Sequence, residues 1–181
     1  MAGKLVQVAR TNITSDTHFA YINGISTNDI YMVTYRNMTP SLDAKYFLAN
    51  VTVSGTRQTG SNYSRASKNL RAVTSYGNGA GTNETSWYIQ GNTNGTAQGE
   101  VCNGYMMLYN FYSSTSYSHT TVHNTSLDHG ANHNGTQGAR WYTNNQVNDG
   151  LSFNFNGGAN ISSGEIIMYK VLTWVKNNLD I

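Results

Sequence analysis

Four histidines and an aspartate, His119, His123, Asp128, His129 and His133, are the densest set of metal-ligating side chains in the chain. If His119 and His123 share a strand they face the same way. At strand rise they then stand about 13 Å apart, too far to share one ion. His129 and His133 fall in a polar stretch rich in Asn and Gly and are free to converge, but polar loop histidines that hold nothing are the commoner outcome. No metal site is assigned. The carboxylates are few, Glu84, Glu100, Glu165 and six Asp spread along the chain. Glycoside hydrolysis needs two of them about 5 to 10 Å apart, and nothing in their spacing creates such a pair. Asp128 and His129 beside Ser126 have no nucleophile-turn sequence around them. The expectation is therefore a protein that is not an enzyme and needs no cofactor.

A second group of residues is suited to recognition. Trp87, Tyr88, Tyr112, Tyr117, Trp141 and Tyr142 lie beside polar stretches full of Asn and Gln, an arrangement that suits stacking on sugar rings. The competing expectation, and the favoured one, is that most of them are core or subunit interface. Arg57, Arg65, Lys68 and Arg71 form the one loose basic cluster. It reads as a solvated face, with phosphate or an acidic glycan as the alternative partner. A net charge of +2 with scattered basic residues gives no footprint for nucleic acid. Cys102 is the single cysteine, so no intrachain disulfide forms and a reducing compartment is expected. The first residues lack the apolar run of a signal peptide and no membrane-spanning stretch follows, which predicts synthesis in the cytoplasm without membrane insertion.

The elements that would position these groups are strands. Charged residues make up 11% of the chain, less than half the usual share, and Asn, Ser, Thr, Gly and Tyr fill their place. Residues 151–155 alternate Leu151, Phe153 and Phe155 with Ser152 and Asn154, a period of two that places the apolar groups on one face. Gly157 and Gly158 follow in a polar loop, and residues 165–171 form a strand apolar on both faces, Ile166 and Met168 one way and Ile167, Tyr169 and Val171 the other. The two segments read as a hairpin. Residues 30–35 read as a central strand, 45–54 as an alternating one with Phe47, Ala49, Val51 and Val53 on one side, and 104–111 as another strongly apolar strand paired with 117–123. Residues 77–81 and 91–99 read as loops, 65–73 as a strand, and 124–138 as a long loop. Many short strands without helices predict an all-β, antiparallel β-sandwich, jelly-roll-like, over residues 1–171. Residues 172–181, with Leu172, Trp174, Val175 and Leu179, read as a C-terminal arm. Ile167, Tyr169, Val171 and Trp174 are the expected oligomer interface, because a monomer rarely leaves such a patch in water.

Three segments taken together are familiar: Asn23-Gly24-Ile25-Ser26-Thr27-Asn28-Asp29-Ile30-Tyr31-Met32 with Asn37-Met38-Thr39-Pro40-Ser41, then Gly104-Tyr105-Met106-Met107-Leu108-Tyr109-Asn110, and finally 150–155 through 163–169. Their order and spacing resemble the virion structural proteins of tailed bacteriophages of the marine and cyanobacterial type. The resemblance covers residues 5–171, roughly. It implies a β-sandwich on the virion surface, as head decoration or tail appendage, often a homotrimer and in contact with other virion proteins. It brings no catalytic residues. The chain departs from full-length tail fibres in showing no N-terminal shaft and in extending past Val171, which favours a separate module docked on capsid or tail. The alternative function is a receptor-recognition module that binds a host cell-surface glycan.

Overall fold

A computed structural model describes residues 4–72 and 76–172. They form two antiparallel sheets packed face to face. The larger has eight strands in the order β1 (Lys4–Ile13), β13 (Ile161–Leu172), β3 (Tyr31–Pro40), β9 (Cys102–Tyr109), β10 (Ser118–Leu127), β11 (His133–Tyr142), β6 (Tyr63–Arg71) and β7 (Gly77–Glu84). The smaller runs β2 (Ala20–Asn23), β12 (Gly150–Phe155), β4 (Phe47–Val53) and β5 (Thr56–Arg57), with the two-residue β8 (Trp87–Tyr88) also paired to β4. The chain is an all-β sandwich. Among the described residues no helix is long and apolar enough to cross a membrane.

The core forms where strand alternation is strongest. Phe153 lies opposite Ala49 and Phe155 opposite Phe47 on adjacent strands, and these side chains meet Tyr35 of the facing sheet. Phe47 and Phe153 stack with centroids 5.4 Å apart. Ile166 and Met168 of β13 are fully buried, while Ile167, Tyr169 and Val171 keep solvent contact on the opposite face. The division of β13 into two faces is as its alternation predicts.

Three expected connections differ. β12 and β13 are not a hairpin: β12 pairs with β2 and β4, whereas β13 pairs with β1 and β3. Residues 156–160 arch from one sheet to the other, with Gly157 and Gly158 at φ 65° and 76° making the turn. An arch suits the sequence because both strands present apolar residues to the same interior from opposite sides. Residues 124–138 are mostly strand, since β10 and β11 pair from Ser118–Tyr142 to Leu127–His133 around a short turn. The glycine-rich stretch expected to be loop is β7, paired to β6. The C-terminal arm, with Trp174, lies outside the described residues.

Candidate functional site

The outer face of the eight-stranded sheet is built from the residues that alternate with the core. β13 contributes Ile167, Tyr169 and Val171, β3 contributes Met32 and Thr34, and β9 contributes Tyr105, Met107 and Tyr109. β10 adds His119, Thr121 and His123, and β11 adds Ala139 and Trp141. Cross-strand register aligns them in rows: Tyr169, Met32, Met107, Thr121 and Ala139 in one, Ile167, Thr34, Tyr105 and His123 in the next. Tyr105 and His123 stack at 5.2 Å with planes 9° apart. All retain solvent contact, whereas Tyr31, Val33, Met106, Leu108 and Val122 on the inner face of the same strands are at most 1% exposed. Charge appears at the two ends, where Glu165 is held between Arg10 and Arg36 on one side and Lys68 of β6 stands across from Gln137 on the other. Burial works against ionisation of Glu165, but hydrogen bonds from Arg36 and Arg10 outweigh it and hold its carboxyl below the usual range.

The inner side of β10, β11 and β6 is of another kind. Here the buried Val122, Tyr142 and Tyr63 are joined by the polar Thr120, Thr136, Asn134 and Arg140, and residues 88–94 lie over the last three. Between the β8 pairing at Tyr88 and the bridge of Asn94 to Lys45 that segment is irregular backbone, so its polar groups need partners. Arg140 Nε donates to the Tyr88 carbonyl at 2.9 Å, and Asn124 Nδ2 to the Ile89 carbonyl at 3.3 Å. The Gly91 N–H donates to Thr136 Oγ1 at 2.9 Å, and Asn92 Nδ2 reaches Asn134 and Asp128. Arg140 also donates to the carbonyls of Ala66 and Ala139. Burial, then the neighbouring Arg65 charge, push the Arg140 guanidinium down to about 10, so it stays protonated at neutral pH.

Asp128 closes the β10–β11 turn. Its Oδ1 accepts the backbone N–H groups of Gly130 and Asn132 at 3.0 and 2.9 Å. Burial works against its ionisation, but hydrogen bonds from Asn132, Asn134 and Gly130 outweigh it and hold the carboxyl below the usual range. His129 contacts Thr93 Oγ1 through Nδ1, and His133 begins β11. Asp128 thus serves the turn and not a catalytic pair. Among the described residues no group of three or more His, Cys, Asp or Glu side chains is placed to hold a metal ion. Cys102 is buried and its thiol is pushed well up by desolvation, which removes thiolate character.

No family model, curated protein or solved structure matches the chain.

The six aromatics proposed for sugar stacking are not one site. Trp87 and Tyr142 are fully buried and pack around Tyr63, so neither faces a ligand. The Trp87 indole N–H is satisfied by the Trp141 carbonyl at 2.9 Å. A tryptophan on a two-residue strand beside polar loops reads as exposed only because the polar loops around it turn out to be packed. Trp141 faces outward on the large sheet, and Tyr112 and Tyr117 are exposed between β9 and β10. Tyr88 sits elsewhere, beneath the Arg65 guanidinium at 4.5 Å and edge-on to Tyr46. The basic cluster is likewise dispersed. Arg57 covers Phe19, Arg65 pairs with Glu84, Lys68 donates to Asn78, and Arg71 bonds Asn92 and Asn134. Sequence reasoning missed Arg140 and the 88–94 segment. The signal that would have found them is the alternation of Asn134, Thr136, Gly138 and Arg140 with outward residues, a strand pattern written in polar letters.

Proposed function

We propose that the chain is a non-enzymatic structural protein of a tailed-phage virion surface, head decoration or tail-associated module, that assembles as a homotrimer through the outer face of its large sheet. The observation that carries this is the composition of that face. From β13 to β11 its centre holds Tyr, Trp, Met and Ile among Thr and His with no Lys, Arg, Asp or Glu, and charge flanks it, Arg10, Glu165 and Arg36 at one end and Lys68 of β6 beyond the other. Interface cores are depleted in charge and enriched in Tyr, Trp and Met in the same way. The five strands from β13 to β11 at ~4.8 Å spacing and eight residues of strand at ~3.4 Å rise give a charge-free centre of about 650 Å², most of the roughly 800 Å² each partner gives to a standard interface. The pairing order also supports a virion role. β1-β13-β3-β9 against β2-β12-β4-β8 is the interleaving we take as a jelly roll, with β10, β11, β6 and β7 extending one sheet. Jelly rolls recur in capsid proteins, which is an analogy of fold. Antibodies against the folded chain should decorate intact virions of the phage that encodes it, and disrupted particles should release the chain in fixed stoichiometry. Particles free of the chain overturn the virion reading. The second reading, a glycan-binding receptor-recognition module, is favoured by the exposed Tyr112 and Tyr117.

A further inference from the structure

A cleft opens between β6–β7 and residues 88–91, on the sandwich side of the large sheet, away from the outer face. Its volume is about 370 Å³ and its lining includes Tyr46, Arg65, Asn69, Asn78, Tyr88 and Gln90. This lies in the lower part of the size range of small-ligand sites. We propose that this cleft binds a saccharide bearing a carboxylate.

The donors are in place and unused. Arg65 spends its Nε on Glu84, at 3.1 and 3.0 Å to the two carboxylate oxygens. Neither of its Nη groups has a protein hydrogen-bond partner among the described residues. The guanidinium carbon lies 4.5 Å from the centroid of the Tyr88 ring and its Nε is held by Glu84, so its direction is fixed before a ligand arrives, which lowers the ordering cost of binding. Asn69 accepts from Thr136 through Oδ1 at 3.3 Å, and its Nδ2 has no partner among the described residues. On the cleft wall Gln90 is 1% exposed, and its Oε1 is buried with no hydrogen-bond partner. Its Nε2 donates to Asn94 Oδ1, and Asn94 Nδ2 in turn donates to the Met38 carbonyl, so the amide orientation is fixed by its neighbours. A buried acceptor left unpaired costs free energy unless a donor reaches it.

The space is kept by two glycines. A Cβ at Gly91 would lie 1.9 Å from Asn69 Oδ1, and one at Gly79 would lie 2.7 Å from Ser67 Oγ and 3.1 Å from Arg65 Nη1. Charge selects the ligand. Arg65 and Arg140 face the single carboxylate of Glu84, which leaves an excess of one positive charge beside the cleft. One excess charge suits a carboxylate better than a phosphate dianion. Amide side chains and two tyrosines suit a polyhydroxylated ring, whereas a peptide side chain would find little apolar wall. The proposal is independent of assembly through the outer face.

The test is titration of the full chain, followed by backbone NMR, with galacturonate and glucuronate trimers, the neutral galactose trimer, and triglutamate as probes. The uronates should shift residues 65–69, 78–80 and 88–91 with millimolar or tighter affinity, the neutral trimer should bind at least about tenfold more weakly, and triglutamate should leave them unmoved. Arg65→Gln should weaken uronate binding about tenfold or more. Glu84→Gln leaves Arg65 charged and should tighten it about threefold, an outcome a merely structural ion pair would not give. A matched melting temperature establishes that each variant is folded. The proposal is overturned by no cleft shift with either uronate at about 10 mM, by equal binding of triglutamate, by equal binding of the neutral trimer, or by weaker uronate binding in a folded Glu84→Gln protein.

Discussion

Across β13, β3 and β9 the inner face of the large sheet is Ile166, Met168, Tyr31, Val33, Met106 and Leu108; across β10, β11 and β6 apolar Val122, Tyr142 and Tyr63 share it with Thr120, Asn124, Thr136, Arg140, Arg65 and Asn69. The first half is covered by regular strands of the smaller sheet, whose backbone groups are already paired within that sheet. It needs only apolar surface and shape, and each large side chain it withdraws from water contributes about 1.5–3 kcal/mol. The polar part of the second half is covered by residues 88–94, which pair with the smaller sheet only at Tyr88 and Ile89 and with Lys45 at Asn94, so that several of their other backbone groups are satisfied from below. Side-chain amides, hydroxyls and a guanidinium do this. The difference shows that one sheet can bury both ends by different means, and that what lies on top dictates the composition beneath.

The comparison breaks hardest at Phe153. Phe153→Asp removes an aromatic stacked between β12 and β4 and buries a charge with no partner. The expected loss exceeds about 5 kcal/mol, enough to unfold a typical domain. A cooperative melt from soluble Phe153→Asp protein would show that this half is not the core.

In the polar half the corresponding change is Arg140→Met, which keeps the length of the side chain but leaves the carbonyls of Tyr88, Ala66 and Ala139 without that donor. The expected cost is about 3 kcal/mol, with exchange of the 88–94 amides accelerated more than those of β12. Equal acceleration in both halves would mean that the polar half is not an independent unit of stability.

A smaller effect belongs to Asp128. Its carboxyl sits below the unfolded value, so its stabilisation is complete above about pH 4 and is lost as pH falls through the folded-state pKa. Asp128→Asn should cost about 1–2 kcal/mol at neutral pH, because a neutral amide facing Asn92 Nδ2 no longer accepts as a carboxylate does. The variant should also lose less stability than wild type between neutral pH and pH ~3. Chemical denaturation at both pH values measures this, and parallel losses would remove Asp128 from the account.

The same comparison explains what was legible in the sequence. The strands of the apolar half announced themselves, because Phe47, Ala49 and Val51 or Leu151, Phe153 and Phe155 alternate with polar neighbours. The two faces of β13 were legible for the same reason. The strands of the polar half were partly hidden. In His133–Tyr142 both the buried and the exposed positions are mostly polar or glycine, so periodicity in hydrophobicity fails although periodicity in burial is present. β7 is glycine-rich because Gly79 and Gly81 make room for Arg65, Ser67 and Glu84, and glycine in a row reads as flexibility. Residues 151–171 read as a hairpin because two adjacent apolar strands and a glycine turn look alike whether they pair or arch across a core. Of the interaction surface, Ile167, Tyr169 and Val171 were legible from alternation alone. Met32, Met107, Tyr105 and Trp141 were not, because only sheet order brings them beside those residues. The cleft was legible only as isolated letters, Arg65 and Tyr88, with nothing to join them.

The central claim is that the charge-free centre of the outer face is a subunit interface, and the mass of the purified chain in solution tests it most directly. Light scattering at micromolar concentration should give three times the chain mass of 19.9 kDa, and Met107→Lys, at the centre of the face, should give a monomer with an unchanged β-sheet spectrum. Wild-type protein that is monomeric at that concentration, or a Met107→Lys protein that keeps the trimer mass, would contradict the claim.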